Sequence, residues 1–226
     1  DYLVSFPYGC TEQLASSILP NLAIKKLADL GKFDLKAINI DDLKKNVETG
    51  LGQIYQNQQP NGGFGLWIES EGNAYLTAYV VETMHEAETA GYSIDKNIMT
   101  KAITFMKNFI KNNQLVGDKL AFNANNRAYI LYVLSEIGQG DLGLNNNLWE
   151  IRKNLSLISK AYLAIAYQNL VETKPDQSIQ DKINSLLKEL ENAALQTPRG
   201  VSFEEVNLDY SLFDSNTRTT AVVMKA

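Results

Sequence analysis

Cys10 and Gln13, a thiol and a carboxamide three residues apart, form the chemically informative pair of this chain. They lie in Phe6-Pro7-Tyr8-Gly9-Cys10-Thr11-Glu12-Gln13, and the residues that follow, Leu14, Ile18, Leu22, Ala23 and Leu27, have helical apolar spacing. Pro7 and Gly9 interrupt regular structure just before. Cys10 is therefore expected at a helix start, where free backbone N–H groups and the positive end of the helix dipole favour a negatively charged sulfur. A separation of three residues puts both side chains on one helical face, about 5 to 6 Å apart at Cβ. The sulfur can then attack the carboxamide, expel ammonia and close an internal thioester, provided that the surroundings polarise the carbonyl and exclude water. The same pair at the same spacing also arises by chance. Pro20 falls inside the helical pattern, so a kink or an early helix end is expected there.

Other chemistry finds less support. Cys10 is the only cysteine and His85 the only histidine, so neither an internal disulfide nor a Cys/His zinc cluster can form. A cysteine-nucleophile hydrolase needs a base beside its sulfur, and no plausible histidine partner is placed for it. Glu69, Glu71, Glu204, Glu205 and Asp209 fall on expected loops as candidate cation ligands, without the spacing of an EF-hand. Asp41 and Asp42, preceded by Asn39, read as a helix cap. No acid and base pair of the glycosidase kind can be singled out. No metal and no cofactor are expected.

The elements that must position the pair are helices. Of 226 residues, 45% are hydrophobic and 21% charged, enough for a sizeable core. Glycine and proline, at 14 and 5, are sparse and favour long helices over a turn-rich sandwich. The net charge of -5 argues against a general nucleic-acid binder. No stretch approaches the roughly 18 apolar residues of a spanning helix, and Asp1-Tyr2-Leu3-Val4-Ser5-Phe6 lacks the features of a signal peptide.

Two helix types alternate. Segments 73–90, 126–137 and 158–171 are apolar nearly all round, whereas 95–111 and 177–195 carry one apolar stripe, as in Ile179, Ile183, Leu186, Leu187 and Leu190. Helices are also expected near 41–58, 148–154 and from Asn216, about nine in all. Turns beginning at Gln58, Gln114 and Gln196 each pair Gln with a following Gly. The apolar helices open in similar ways, with Thr77-Ala78-Tyr79, Arg127-Ala128-Tyr129, Lys160-Ala161-Tyr162 and Thr219-Thr220-Ala221. An irregular tandem array of helical hairpins fits these repeats better than an arbitrary bundle. The expected fold is all-α, an α/α toroid of inner apolar and outer amphipathic helices. A closed ring would need more chain, so residues 1–226 are expected to be one domain excised from a larger protein and truncated at its C-terminus.

Pro7-Tyr8-Gly9-Cys10-Thr11-Glu12-Gln13 resembles the thioester motif of the α2-macroglobulin and complement family, in the form found in its bacterial branch. Asn61-Gly62-Gly63-Phe64-Gly65 and the run from Tyr75 to Val81 are similar to that family's second hairpin junction and third helix. The resemblance implies an α/α toroid and a covalent trap. A protease cuts a bait region elsewhere in the protein, and the exposed thioester acylates a nucleophile, often a lysine of the attacker. Cys10 would supply the sulfur and Gln13 the acyl carbon, with Tyr8, Gly9, Thr11 and Glu12 as supporting motif. Phe6, Phe64, Trp67 and Tyr75, with Tyr8, are candidates for part of a shield against water that a neighbouring domain completes, with packing in the core as the more ordinary role of each. Such a domain fires once and is not a turnover enzyme. Family members that prefer hydroxyl targets use a histidine on a later loop, and the matching stretch here, roughly 114–126, has none. Direct attack by amines is therefore expected. The resemblance also implies neighbouring macroglobulin-type domains, target proteases as partners, and a periplasmic or extracellular location, with any signal or lipid anchor on sequence outside these residues. The competing expectation is a toroid that serves only as a non-covalent interaction scaffold.

Overall fold

The computed structural model describes residues 9–31, 40–113, 115–117, 119–173, 175–198, 200–209 and 212–226. The chain divides into two compact units, residues 1–111 and 112–226.

In the first unit, α1 (Thr11–Asp29) packs against α2 (Ile40–Gln56) and α3 (Ala74–Thr89), and α4 (Lys96–Asn112) follows. α3 is buried on most sides, from Ala74 through Ala87. α4 buries only the stripe Met99, Ala102, Met106 and Ile110, at spacings of three and four. Asp41 and Asp42 lie in the first turn of α2, where negative charge suits the helix dipole, and Asn39 lies outside the described residues. Pro20 does not end α1. The helix continues for nine residues beyond it, held by packing on two neighbours and by Ser17 and Asn21 side chains that donate to Leu14 and Ser17 carbonyls at 2.8 and 2.7 Å. The turn after α2 lies on α4: Gln58 Nε2 donates to the Ile98 carbonyl at 2.9 Å, and a Cβ on Gly63 would sit 2.7 Å from the Phe105 ring.

In the second unit, α5 (Leu120–Glu136) and α7 (Leu157–Thr173) form the apolar pair and pack on each other. Tyr129, Tyr132 and Tyr162 meet between them with ring centroids 4.9 to 6.1 Å apart. α6 (Leu142–Glu150) and a short 3-10 helix (Arg152–Asn154) occupy the segment expected as one helix, and α5 begins six residues before its apolar run. α8 (Gln177–Glu191) is amphipathic and buries Ile179, Ile183, Leu186 and Leu190. It stops before Leu195, which instead opens a hairpin of β1 (Leu195–Thr197) and β2 (Gly200–Ser202), antiparallel with Leu195 opposite Ser202. α9 (Asn216–Lys225) then packs on α7.

The repeats read from the sequence have a hydrogen-bonded basis. Thr77 accepts from the backbone N–H of Phe64 at 2.8 Å, and Thr220, at the equivalent place before an alanine, accepts from Phe203 N–H at 3.0 Å. Gln114 lies outside the described residues. Glu205 is no free cation ligand: its carboxylate accepts from Leu157 N–H at 3.0 Å and Ile158 N–H at 2.8 Å, capping α7. Among the described residues no helix is long and apolar enough to cross a membrane.

Candidate functional site at the start of the first helix

Cys10 is the N-cap of α1, in extended conformation at φ -64° and ψ 166°. Gln13, one turn on, reaches back so that its Oε1 accepts from the Cys10 backbone N–H at 3.1 Å. That bond satisfies one of the free donors of the helix end. It also fixes the carbonyl oxygen of the carboxamide against the residue that carries the sulfur. Cys10 is half-buried and Gln13 exposed, so both are within reach of a reactant. Gly9 makes room for them, since a Cβ there would lie 3.1 Å from Gln13 Cβ and 3.6 Å from its Oε1.

Thr11 anchors the site. It is fully buried, its hydroxyl donates to the Gly65 carbonyl at 2.6 Å, and its backbone N–H donates to the Leu66 carbonyl at 2.9 Å. Asn57 Nδ2 in turn donates to the Thr11 hydroxyl at 2.9 Å. The first turn of α1 is thereby tied to the loop 57–73. Glu12 points elsewhere: it accepts from the Ser16 hydroxyl at 2.7 Å, and Ser16 meets the Tyr79 hydroxyl of α3 at 3.0 Å. Asn57, Gly65, Ser16 and Tyr79 did not figure among the expected site residues. Only Ser16, four residues after Glu12, is a helical neighbour that local spacing predicts.

The candidate shield residues separate. Phe64 is fully buried and Tyr75 is buried in α3. Trp67 is 55% exposed, between exposed Leu66 and Ile68. A cleft of about 600 Å³ opens beside Gly9 and Leu14, with Asn57, Trp67, Ile68 and Glu69 among its walls. Phe6 and Tyr8 lie outside the described residues. His85 is half-buried in α3, five residues beyond Val80 and on the opposite end of the helix from its Asn73 cap.

A family model described as the A-macroglobulin TED domain matches residues 1–122, more than half of the chain. The chain belongs to the A-macroglobulin TED domain family. It is 28% identical over 156 residues to the α2-macroglobulin of Escherichia coli K12, across 66% of this chain and 9% of that protein. A crystal structure of trypsin-activated α2-macroglobulin from Escherichia coli superposes with a TM-score of 0.66 at 26% identity, covering 81% of this chain and 13% of that one. A structure of Salmonella α2-macroglobulin reacted with methylamine gives a TM-score of 0.71 at 20% identity, over 99% of this chain and 15% of that one. These structures share the fold class expected from the sequence, all-α and toroid-like, and the relatives are bacterial α2-macroglobulins. This TED domain chain spans about a tenth of the length of the relatives it matches.

Proposed function

We propose that this chain is the covalent-trapping domain of a protease inhibitor, acting through an internal thioester between Cys10 and Gln13. The observation that carries the proposal is the 3.1 Å bond from the Cys10 N–H to Gln13 Oε1. It polarises the carbonyl at which sulfur attacks, and the same N–H stabilises the oxyanion that forms. In the closing step the Cys10 sulfur bonds to Gln13 Cδ, and Nε2 leaves as ammonia with the thiol proton. In the trapping step a target amine attacks that carbon, the C–S bond breaks, Gln13 is left in an amide with the target and Cys10 regains a thiol. Each molecule reacts once, so the domain is a single-use acylating reagent and not a turnover enzyme.

The partners in this reading are proteases, joined through lysine amines after bait cleavage elsewhere in a larger multidomain protein, and the macroglobulin-type domains beside residues 1–226. Activation of the Escherichia coli relative by trypsin supports a protease partner. The location in this reading is the periplasm or the outside of the cell, as the family resemblance implies. Methylamine treatment of the full-length protein, followed by peptide mass mapping, tests it. Methylamide at Gln13 together with a newly exposed Cys10 thiol is the expected result. Absence of label at Gln13 favours a non-covalent scaffold instead.

A further inference from the structure

We infer that Asn57 is a positioning residue of the Cys10–Gln13 pair, an inference that rests on the thioester reading above. Asn57 lies in the turn that follows α2 and is 7% exposed. Its Nδ2 donates at 2.9 Å to the hydroxyl of Thr11, the residue directly between the N-cap sulfur and Glu12. With a lone pair engaged, the single Thr11 hydroxyl proton is turned to the carbonyls of the cleft loop, Gly65 at 2.6 Å and, at the longer distance of 3.2 Å, Leu66. The backbone of the same turn is held too: Gln59 Nε2 donates to the Asn57 carbonyl at 3.1 Å and to the Ile68 carbonyl at 2.8 Å. One network, buried at Asn57 and Thr11, thus runs from the cleft loop to the turn that presents Cys10 and Gln13.

The physical consequence concerns orientation. Closing a thioester requires sulfur and carbonyl carbon in near-attack geometry, and small displacements are costly there. The Thr11 backbone N–H on the Leu66 carbonyl holds the first turn of α1 whatever the hydroxyl does; the side-chain hold on Gly65 depends on the hydroxyl's orientation, which Asn57 sets. Without the Asn57 donor the hydroxyl gains rotational freedom and the Thr11 to Gly65 bond weakens. Asn57 touches neither reacting group, so it acts through Thr11.

The test uses the full-length protein with Asn57→Leu, which keeps the branched shape and removes the donor, and with Thr11→Val and Thr11→Ser. Methylamine incorporated at Gln13 is measured per folded molecule, alongside the melting temperature. Asn57→Leu and Thr11→Val are expected to lower incorporation about tenfold, Thr11→Ser to restore most of it, and the double variant to be no worse than the worse single one. Asn57→Leu that melts earlier but incorporates as much per folded molecule as the unaltered protein overturns the inference while leaving the thioester reading intact. Should Asn57→Leu not fold, equal incorporation by Thr11→Val and the unaltered protein overturns it. An unaltered protein that takes up no methylamine overturns the thioester reading and this inference with it.

Discussion

The hydroxyl of Thr11 lies 2.6 Å from the carbonyl of Gly65, a residue 54 positions away, and both are buried. This contact explains how the Cys10–Gln13 pair, at the very start of a helix, keeps a defined geometry. Helix termini fray when nothing holds them, and here the first turn is held by Thr11 through its side chain and its backbone.

Gly9 is the close neighbour of the Gln13 side chain, and adding bulk there is predicted to displace the carboxamide. Gly9→Val places branched atoms where even a Cβ comes within 3.1 Å of Gln13 Cβ. Ammonia released per folded chain during maturation should fall about tenfold, with little change in the urea midpoint because the site lies at a helix end. Unchanged ammonia release would show that Gly9 does not set the carboxamide's position.

Thr77 is predicted to matter for stability alone. It is fully buried, accepts from Phe64 N–H at 2.8 Å and donates to the Asn73 carbonyl at 2.6 Å. Thr77→Val leaves a buried N–H without its acceptor, which costs about 1 to 3 kcal/mol. Thr220→Val, at a half-buried position, should cost less. Urea denaturation of the two variants checks the order.

The contrast between these two threonines and the Cys10–Gln13 pair shows what is legible in the sequence. Apolar α3, α5 and α7 and amphipathic α4 and α8 announce themselves through a local period, and Cys10 and Gln13 through a spacing of three. Thr77 and Thr220 could be matched because both precede an alanine at a helix opening. The link that holds the site is long-range, Asn57 to Thr11 across 46 residues, and so is the cap of α7 by Glu205, across 47 and 48. Such pairs depend on tertiary placement and leave no periodic trace. The expected turn from Gln196 is a hairpin, and only Leu195 moves from the expected helix into its first strand, because its apolar side chain continues the pattern of α8.

Glu189 gives the protein an acid-sensitive contact. Burial pushes its carboxyl up, and the hydrogen bond and charge of Lys160, with those of Arg152, outweigh burial and hold it below its ordinary value of 4.5. Lys160 Nζ is 2.9 Å and Arg152 Nε 3.2 Å from the carboxylate. A folded carboxyl below its unfolded value contributes stability above the unfolded value, and this is lost as pH falls through the folded one. Urea midpoints should therefore drop as pH is lowered below 4.5, and Glu189→Gln should flatten that part of the curve. A curve of the same slope in the variant would assign the acid loss to other groups.

Under the proposed thioester, the target preference is predicted from the histidine count. The only histidine, His85, sits in α3, and no imidazole is available on residues 114–126 to carry an acyl group to a hydroxyl. Matched amine and alcohol probes, offered at equal concentration, should label Gln13 with the amine in large excess. Faster capture of the alcohol would refute direct amine attack.

Intact mass of the full-length protein, purified without amines, tests the thioester itself. A mass lower than the encoded one by a single ammonia is expected, with the Cys10 thiol resistant to alkylation until methylamine is added. An encoded mass without that deficit, with Gln13 unmodified and Cys10 alkylated from the outset, would contradict it.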